Sequence, residues 1–180
     1  MITVVIIFGY PFTFSKRFGW FVVERYTTFF MINPQSMRAI ARQRLQEAIV
    51  LYNEKMFDGA FYLAGYSAEL TLKAKISERF GIPNLFDESA SHSLQGIRDI
   101  RSAVKTHNLI NLLVFSGLKA KFEEGKALHP ELAKANGLLF DAWNEKARYM
   151  PCGHVAEEDM KNLLNLLSNH NGILAWIEQN

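Results

Sequence analysis

An all-α fold is predicted for residues 34–180: an up-and-down bundle of four long helices with short extra helices between them. Three observations carry this. Apolar residues recur at helical spacing in four long stretches. Prolines at 34, 83, 130 and 151 fall at the edges of those stretches, where they punctuate helices. The second stretch is apolar nearly all round, as expected for a central helix packed on several sides.

The first helix is expected from about Gln35 to Lys55. Asn33 is a good N-cap and Pro34 suits the first helical position. Met37, Ala41, Leu45, Ala48 and Tyr52 form its buried stripe. Asp58 caps a second helix that runs to Phe80 and stops at Gly81, ahead of Pro83. Its small residues Gly59, Ala60, Ala64, Gly65 and Ala68 let neighbouring helices come close. Asn84–Ser93 reads as a loop, and Gly96–Val104 as a short helix. Thr106 caps another short helix, stopped by Gly117. A third long helix starts at Pro130, with Leu132, Ala135, Leu139, Ala142 and Trp143 as its stripe, and ends near Tyr149 at the Pro151 and Gly153 breakers. The last helix spans Ala156–Ile177, with Met160, Leu163, Leu164, Leu167, Leu174 and Ile177 facing inward.

Residues 1–33 form an N-terminal extension of different character. Aromatic and β-branched residues crowd its first thirty positions, and neither the helical nor the strand period persists for long. Two readings stand: translation naturally starts at Met31 and residues 1–30 are an upstream in-frame artefact, or the segment is a short hairpin or loop packed on the bundle.

The chain has 180 residues, enough for one real core. Its 49% apolar and 21% charged content argues against overall disorder. The net charge of +2 neither announces nor excludes a nucleic-acid partner, since local clustering of Lys and Arg decides that. The one cysteine, Cys152, allows no internal disulfide, which fits a reducing, cytoplasmic setting. No apolar run reaches the ~18–20 residues of a membrane span. The apolar start, Met1 to Phe8, lacks the basic flank and cleavage site of a secretory signal.

The standard catalytic signatures are absent: no Gly-rich phosphate loop, no GxSxG elbow, no HExxH, no cysteine pair. His107, His129, His154 and His170 are too scattered in sequence to suggest a metal site, so neither metal nor cofactor is expected. Glu69 and Lys73 stand four apart on the apolar second helix. A carboxylate there needs a partner, and it serves either as half of an internal ion pair or as the lining of a cleft. Arg148 and His154 flank a helix break in the text RYMPCGH. The bland readings are a helix-dipole contact for the arginine and a capping role for the histidine. The sharper reading is phosphodiester chemistry: a guanidinium can hold a phosphate by two hydrogen bonds, and an imidazole passes protons near neutral pH.

Three segments in order resemble the HEPN family, the "higher eukaryotes and prokaryotes nucleotide-binding" domain. LQEAIVLYNEKMFDGAFYLAGYSAELTLKAKI resembles its first two helices, with Glu69, Lys73 and Ala74 in the Glu-x-x-x-Lys-Ala pattern. THNLINLL, with His107, resembles its His-Leu-x-x-Leu-Leu stretch. WNEKARYMPCGH resembles its Trp…Arg-Tyr element and its Arg-x(4–6)-His motif. The resemblance covers roughly residues 35–178. It implies a metal-independent endoribonuclease of a toxin–antitoxin or phage-defence system, with the site commonly completed across a homodimer. Arg148 would orient phosphate, His154 would act as acid/base in attack by the ribose 2′-hydroxyl, and Glu69 would be a polar helper. Lys73, His107 and Tyr149 would contact the RNA substrate. Tyr149 stands just after the arginine, where active members often carry a polar residue. The alternative that the resemblance implies is a non-catalytic module that binds a nucleotide or pairs with a minimal nucleotidyltransferase acting as antitoxin.

Overall fold

The structure, a computed structural model, describes residues 2–6, 10–14, 16–17, 20–21, 32–88 and 94–180. Contacts divide the chain into two units, Met1–Phe30 and Met31–Asn180. In the first, β1 (Ile2–Ile6) pairs antiparallel with β2 (Tyr10–Phe14), placing Ile2 opposite Phe14 and Ile6 opposite Tyr10. The two-residue strands β3 (Lys16–Arg17) and β4 (Trp20–Phe21) form a second antiparallel pair. The extension thus contains a hairpin.

In the second unit, all regular structure among the described residues is helical. Helix α1 is Pro34–Asn53. Asn33 Oδ1 accepts from the Ser36 amide and Ser36 Oγ accepts from the Asn33 amide, both at 2.9 Å, a reciprocal cap ahead of Pro34. Met37, Ala41, Leu45 and Ala48 are its buried stripe. A three-residue turn, with Lys55 left-handed at φ 60°, reverses the chain into α2 (Phe57–Phe80). Helix α2 stops as its sequence predicts: Gly81 is left-handed at φ 65°, and the Ile82 amide donates back to the Ser77 carbonyl.

Helix α2 is the central element. Ser67 to Leu72 are buried without interruption, which one-sided packing cannot produce. Around it pack α1, α4 (Leu109–Phe115), α7 (Glu157–Ser168) and α8 (Ile173–Gln179). Helix α3 (Gln95–Val104) sends Arg101 back to the carbonyls of Asn84, Leu85 and Asp87, fixing the described part of the expected 84–93 loop; residues 89–93 lie outside the described set.

Several elements depart from the sequence reading. Asp58 is not the N-cap of α2; it sits inside the first turn and reaches across the fold. Asn108, not Thr106, caps α4, because its side chain lies three residues ahead of the orphan Asn111 amide; Thr106 instead accepts from the Asn108 amide. Lys119–Leu128, unassigned from sequence, is helix α5, which buries Phe122. Of the four expected long helices, two are broken. The third consists of α6 (Pro130–Ala135), a π-helical turn (Asn136–Asp141) and a 3-10 helix (Glu145–Tyr149). The fourth divides into α7 and α8 at a turn in which the Gly172 amide donates to the Asn169 carbonyl. A Cβ at Gly172 would lie 2.1 Å from the Leu166 carbonyl oxygen, so the close fold-back there requires glycine. Among the described residues no helix is long and apolar enough to cross a membrane.

Candidate functional site

The segment carrying Arg148 and His154 is anchored on the first turns of α2. Trp143 begins the anchor. Its indole N–H donates to the Tyr62 carbonyl at 3.1 Å, and its ring lies against Gly65. A Cβ at Gly65 would come within 2.1 Å of Trp143 Cδ1, so glycine is what lets the indole reach the helix backbone. Asn144 then caps the 3-10 helix by accepting from the Lys146 amide. At the end of that helix, Arg148 Nη1 lies 3.4 Å from Tyr62 Oη, and the guanidinium sits over the Tyr149 ring, 5.0 Å from its centroid. Arg148 is exposed, and among the described residues no carboxylate pairs with it. Tyr149 is 76% exposed.

The chain then turns at Gly153, left-handed at φ 81°. That turn delivers two amides and an imidazole to one carboxylate. Asp58 Oδ2 accepts from the Gly153 amide at 2.6 Å and Asp58 Oδ1 from the Val155 amide at 3.0 Å. His154 Nδ1 lies 2.9 Å from Asp58 Oδ1 and 3.2 Å from the Pro151 carbonyl oxygen. Both of these neighbours only accept, so Nδ1 must carry the proton. In the neutral ring the lone pair is then on Nε2. The backbone hydrogen bond from Gly153, reinforced by the Val155 amide and the nearby imidazole, holds the Asp58 carboxyl below the usual carboxylate range against the opposing effect of burial. The His154 side chain is 20% exposed, its ring meets Phe61 edge-on, and it lines a cavity of about 340 Å³.

Arg148 and His154 therefore dock one helical turn apart, on Tyr62 and Asp58 of the same helix. Residues four apart on a helix are surface neighbours. Asp58 and Tyr62, which hold the two candidate residues, went unrecognised in the sequence. The signal lay in the i, i+4 spacing of two polar-tipped residues in a helix opening, Phe57 to Gly65, that is otherwise apolar.

The other sequence-derived candidates form a second cluster. Glu69 is 1% exposed, with Lys73 Nζ at 2.5 Å and His107 Nδ1 at 2.9 Å. Lys73 also lies over the Phe86 ring, 5.5 Å from its centroid. Of the two readings of Glu69 the internal ion pair with Lys73 is present, and the half-exposed His107 meets the same carboxylate. Eleven residues separate Asp58 from Glu69, about 16 Å along the helix axis. Eleven residues are close to three full turns, so the two carboxylates share a face of α2. Within one chain the structure joins Glu69, Lys73 and His107 in one group, and anchors Arg148, with Tyr149 against it, on Tyr62 and His154 on Asp58, one turn apart on α2. Among the described residues, no three His, Cys, Asp or Glu side chains gather in a set that could hold a metal ion. Comparison with family models, curated proteins and solved structures finds no match to this chain.

Proposed function

We propose that the chain is a HEPN-type, RNA-directed protein, an up-and-down helical bundle that acts as a metal-independent endoribonuclease of a toxin–antitoxin or phage-defence system. The observation that supports this best is the Asp58–His154 pair beside Arg148. Asp58 holds the ring in the tautomer that leaves Nε2 free to accept a proton. Arg148 offers a fixed charge and a forked donor set one turn away. In this reading His154 Nε2 takes the proton of a ribose 2′-hydroxyl, and the 2′-oxygen attacks the adjacent phosphorus. The 5′-oxygen leaves and is protonated, giving a 2′,3′-cyclic phosphate and a 5′-hydroxyl end. Arg148 balances the negative charge that grows on the phosphoryl oxygens. Tyr149 offers a ring face to a neighbouring base. Asp58 is a positioning residue, acting through His154.

The test is RNA cleavage by the purified protein in the presence of EDTA. Wild type is expected to leave cyclic-phosphate ends. His154→Ala should lower the rate about 10²–10⁴-fold, the usual worth of a general acid or base, while the protein remains folded by circular dichroism. Arg148→Lys should impair cleavage because it keeps the charge and loses the two-pronged geometry. If wild type and His154→Ala cleave equally, or neither cleaves any RNA offered, the nuclease reading falls. The non-catalytic module paired with a nucleotidyltransferase then takes its place.

A further inference from the structure

We infer that the cavity beside His154 is a nucleobase slot, selective for bases that carry an amino group, and that it selects the nucleotide at which the chain acts. Its role in selection rests on the proposed nuclease function; its ligand chemistry does not. At about 340 Å³ the cavity lies at the small end of ligand pockets, sized for one compact ring system rather than a larger molecule. Phe61, Leu138, Ala142 and Met150 supply apolar walls, suited to the faces of an aromatic ring. These walls come from α2, the π-helical turn and its exit, and the end of the 3-10 helix. Gly137 and Leu138 of the π-helical turn thus line the cavity, and such turns are frequent at functional sites.

Three polar side chains interrupt the apolar lining: His154, Asn144 and Asp159. The Asn144 carbonyl oxygen already caps the 3-10 helix, so its amide group remains as a donor. Asp159, in the first turn of α7, is a carboxylate with no cation paired to it among the described residues. A carboxylate facing a base requires N–H groups. Cytosine, adenine and guanine each bring an exocyclic amino group, and guanine adds a ring N–H beside it. Uracil brings a single ring N–H between two carbonyls, which a carboxylate repels. A base in the slot puts its ribose beside His154, and Arg148, docked one turn along α2, is within reach of the adjoining phosphate.

Binding and cleavage are measured separately. The full chain is titrated with 3′-GMP, 3′-CMP, 3′-AMP and 3′-UMP and followed by amide NMR. The expected result is that the three amino-bearing nucleotides bind about tenfold or more tighter than 3′-UMP, the discrimination expected of a good polar base contact. Asp159→Asn should erase that difference. Ala142→Leu should weaken all four, since Ala142 is an exposed wall residue and the larger side chain fills the slot without entering the core. Equal affinity of all four for wild type, or unchanged binding in both variants, overturns the inference. If these binding differences hold while wild type cleaves no RNA, the slot stands and the nuclease reading fails. If cleavage depends on His154 but shows no base preference and is untouched by Ala142→Leu and Asp159→Asn, the nuclease reading stands and the slot fails.

Discussion

Asp58 accepts hydrogen bonds from two backbone amides and faces an imidazole, all from one turn almost a hundred positions away in sequence. These contacts favour the ionised carboxylate, and the direction of its pKa follows from that. Because the folded-state value is depressed, the stabilisation is fully present above the unfolded value, near 4. It is lost as pH falls through the lower folded value. Asp58→Asn should therefore cost about 1 kcal/mol at neutral pH, the modest figure expected at a partly exposed site. Urea unfolding of both proteins across pH 2–7 checks this: the gap should be constant above about pH 5 and close on acidification. A gap that widens in acid would contradict the assignment. From sequence Asp58 reads as a cap, because an aspartate ahead of an apolar helix usually is one and a partner 95 residues away leaves no local trace. Glu69 was easier to read. A carboxylate amid apolar residues demands a partner, and Lys73 one turn on supplies it at 2.5 Å. That His107 would join the same carboxylate was not legible, because it depends on how α4 packs on α2.

Helix starts and stops with local causes were visible in the sequence, and breaks without a change of apolar spacing were not. Asn33-Pro34 and Gly81 ahead of Pro83 act through neighbouring atoms, and both ends fall where expected. The break between α7 and α8 at 169–172 leaves no mark on the apolar spacing, because Leu167, Leu174 and Ile177 still recur at intervals of seven and three residues. Ala135, Leu139, Trp143 and Ala147 recur every four residues, slower than the 3.6 period, and the π-helical turn absorbs that drift. Ala142, expected in the stripe, is exposed as a result. In the N-terminal extension, the alternatives included a hairpin, and β1 and β2 form one. Contacts divide the chain between Phe30 and Met31. A chain begun at Met31 is therefore expected to melt within about 4 °C of the full chain, the shift that ~1 kcal/mol produces in a domain of this size. Calorimetry on the two lengths decides it, and a much larger drop would show that residues 1–30 contribute to the folding of the bundle.

At the scale of the whole molecule, the proposed chemistry asks for more than one chain supplies at the site. Transfer to a cyclic phosphate needs one group to take the 2′-hydroxyl proton and another to protonate the 5′-oxygen. The described site holds one imidazole, His154. His107 is bound to Glu69, about three turns along α2 from Asp58, and His129 and His170 belong to other elements. A second copy related by a two-fold axis would bring a second His154, and two-fold dimers are the commonest soluble oligomers. The surface beside Arg148 offers such a partner an apolar contact: Tyr149 and Met150 are adjacent, large and exposed. We expect a homodimer with the two Arg148–His154 segments near the axis. Sedimentation at tens of micromolar should give twice the chain mass. Tyr149→Glu with Met150→Glu should return the protein to monomer, because like charges would face each other across the axis. Mixing a His154→Ala chain with an Arg148→Ala chain then separates two arrangements. A site that pairs Arg148 of one chain with His154 of the other recovers part of the activity in the mixed dimer, whereas a site that uses both His154 side chains, or sites complete within each chain, recover none. A protein that sediments only as monomer and still cleaves RNA would remove the need for a second copy and require another proton donor within the chain.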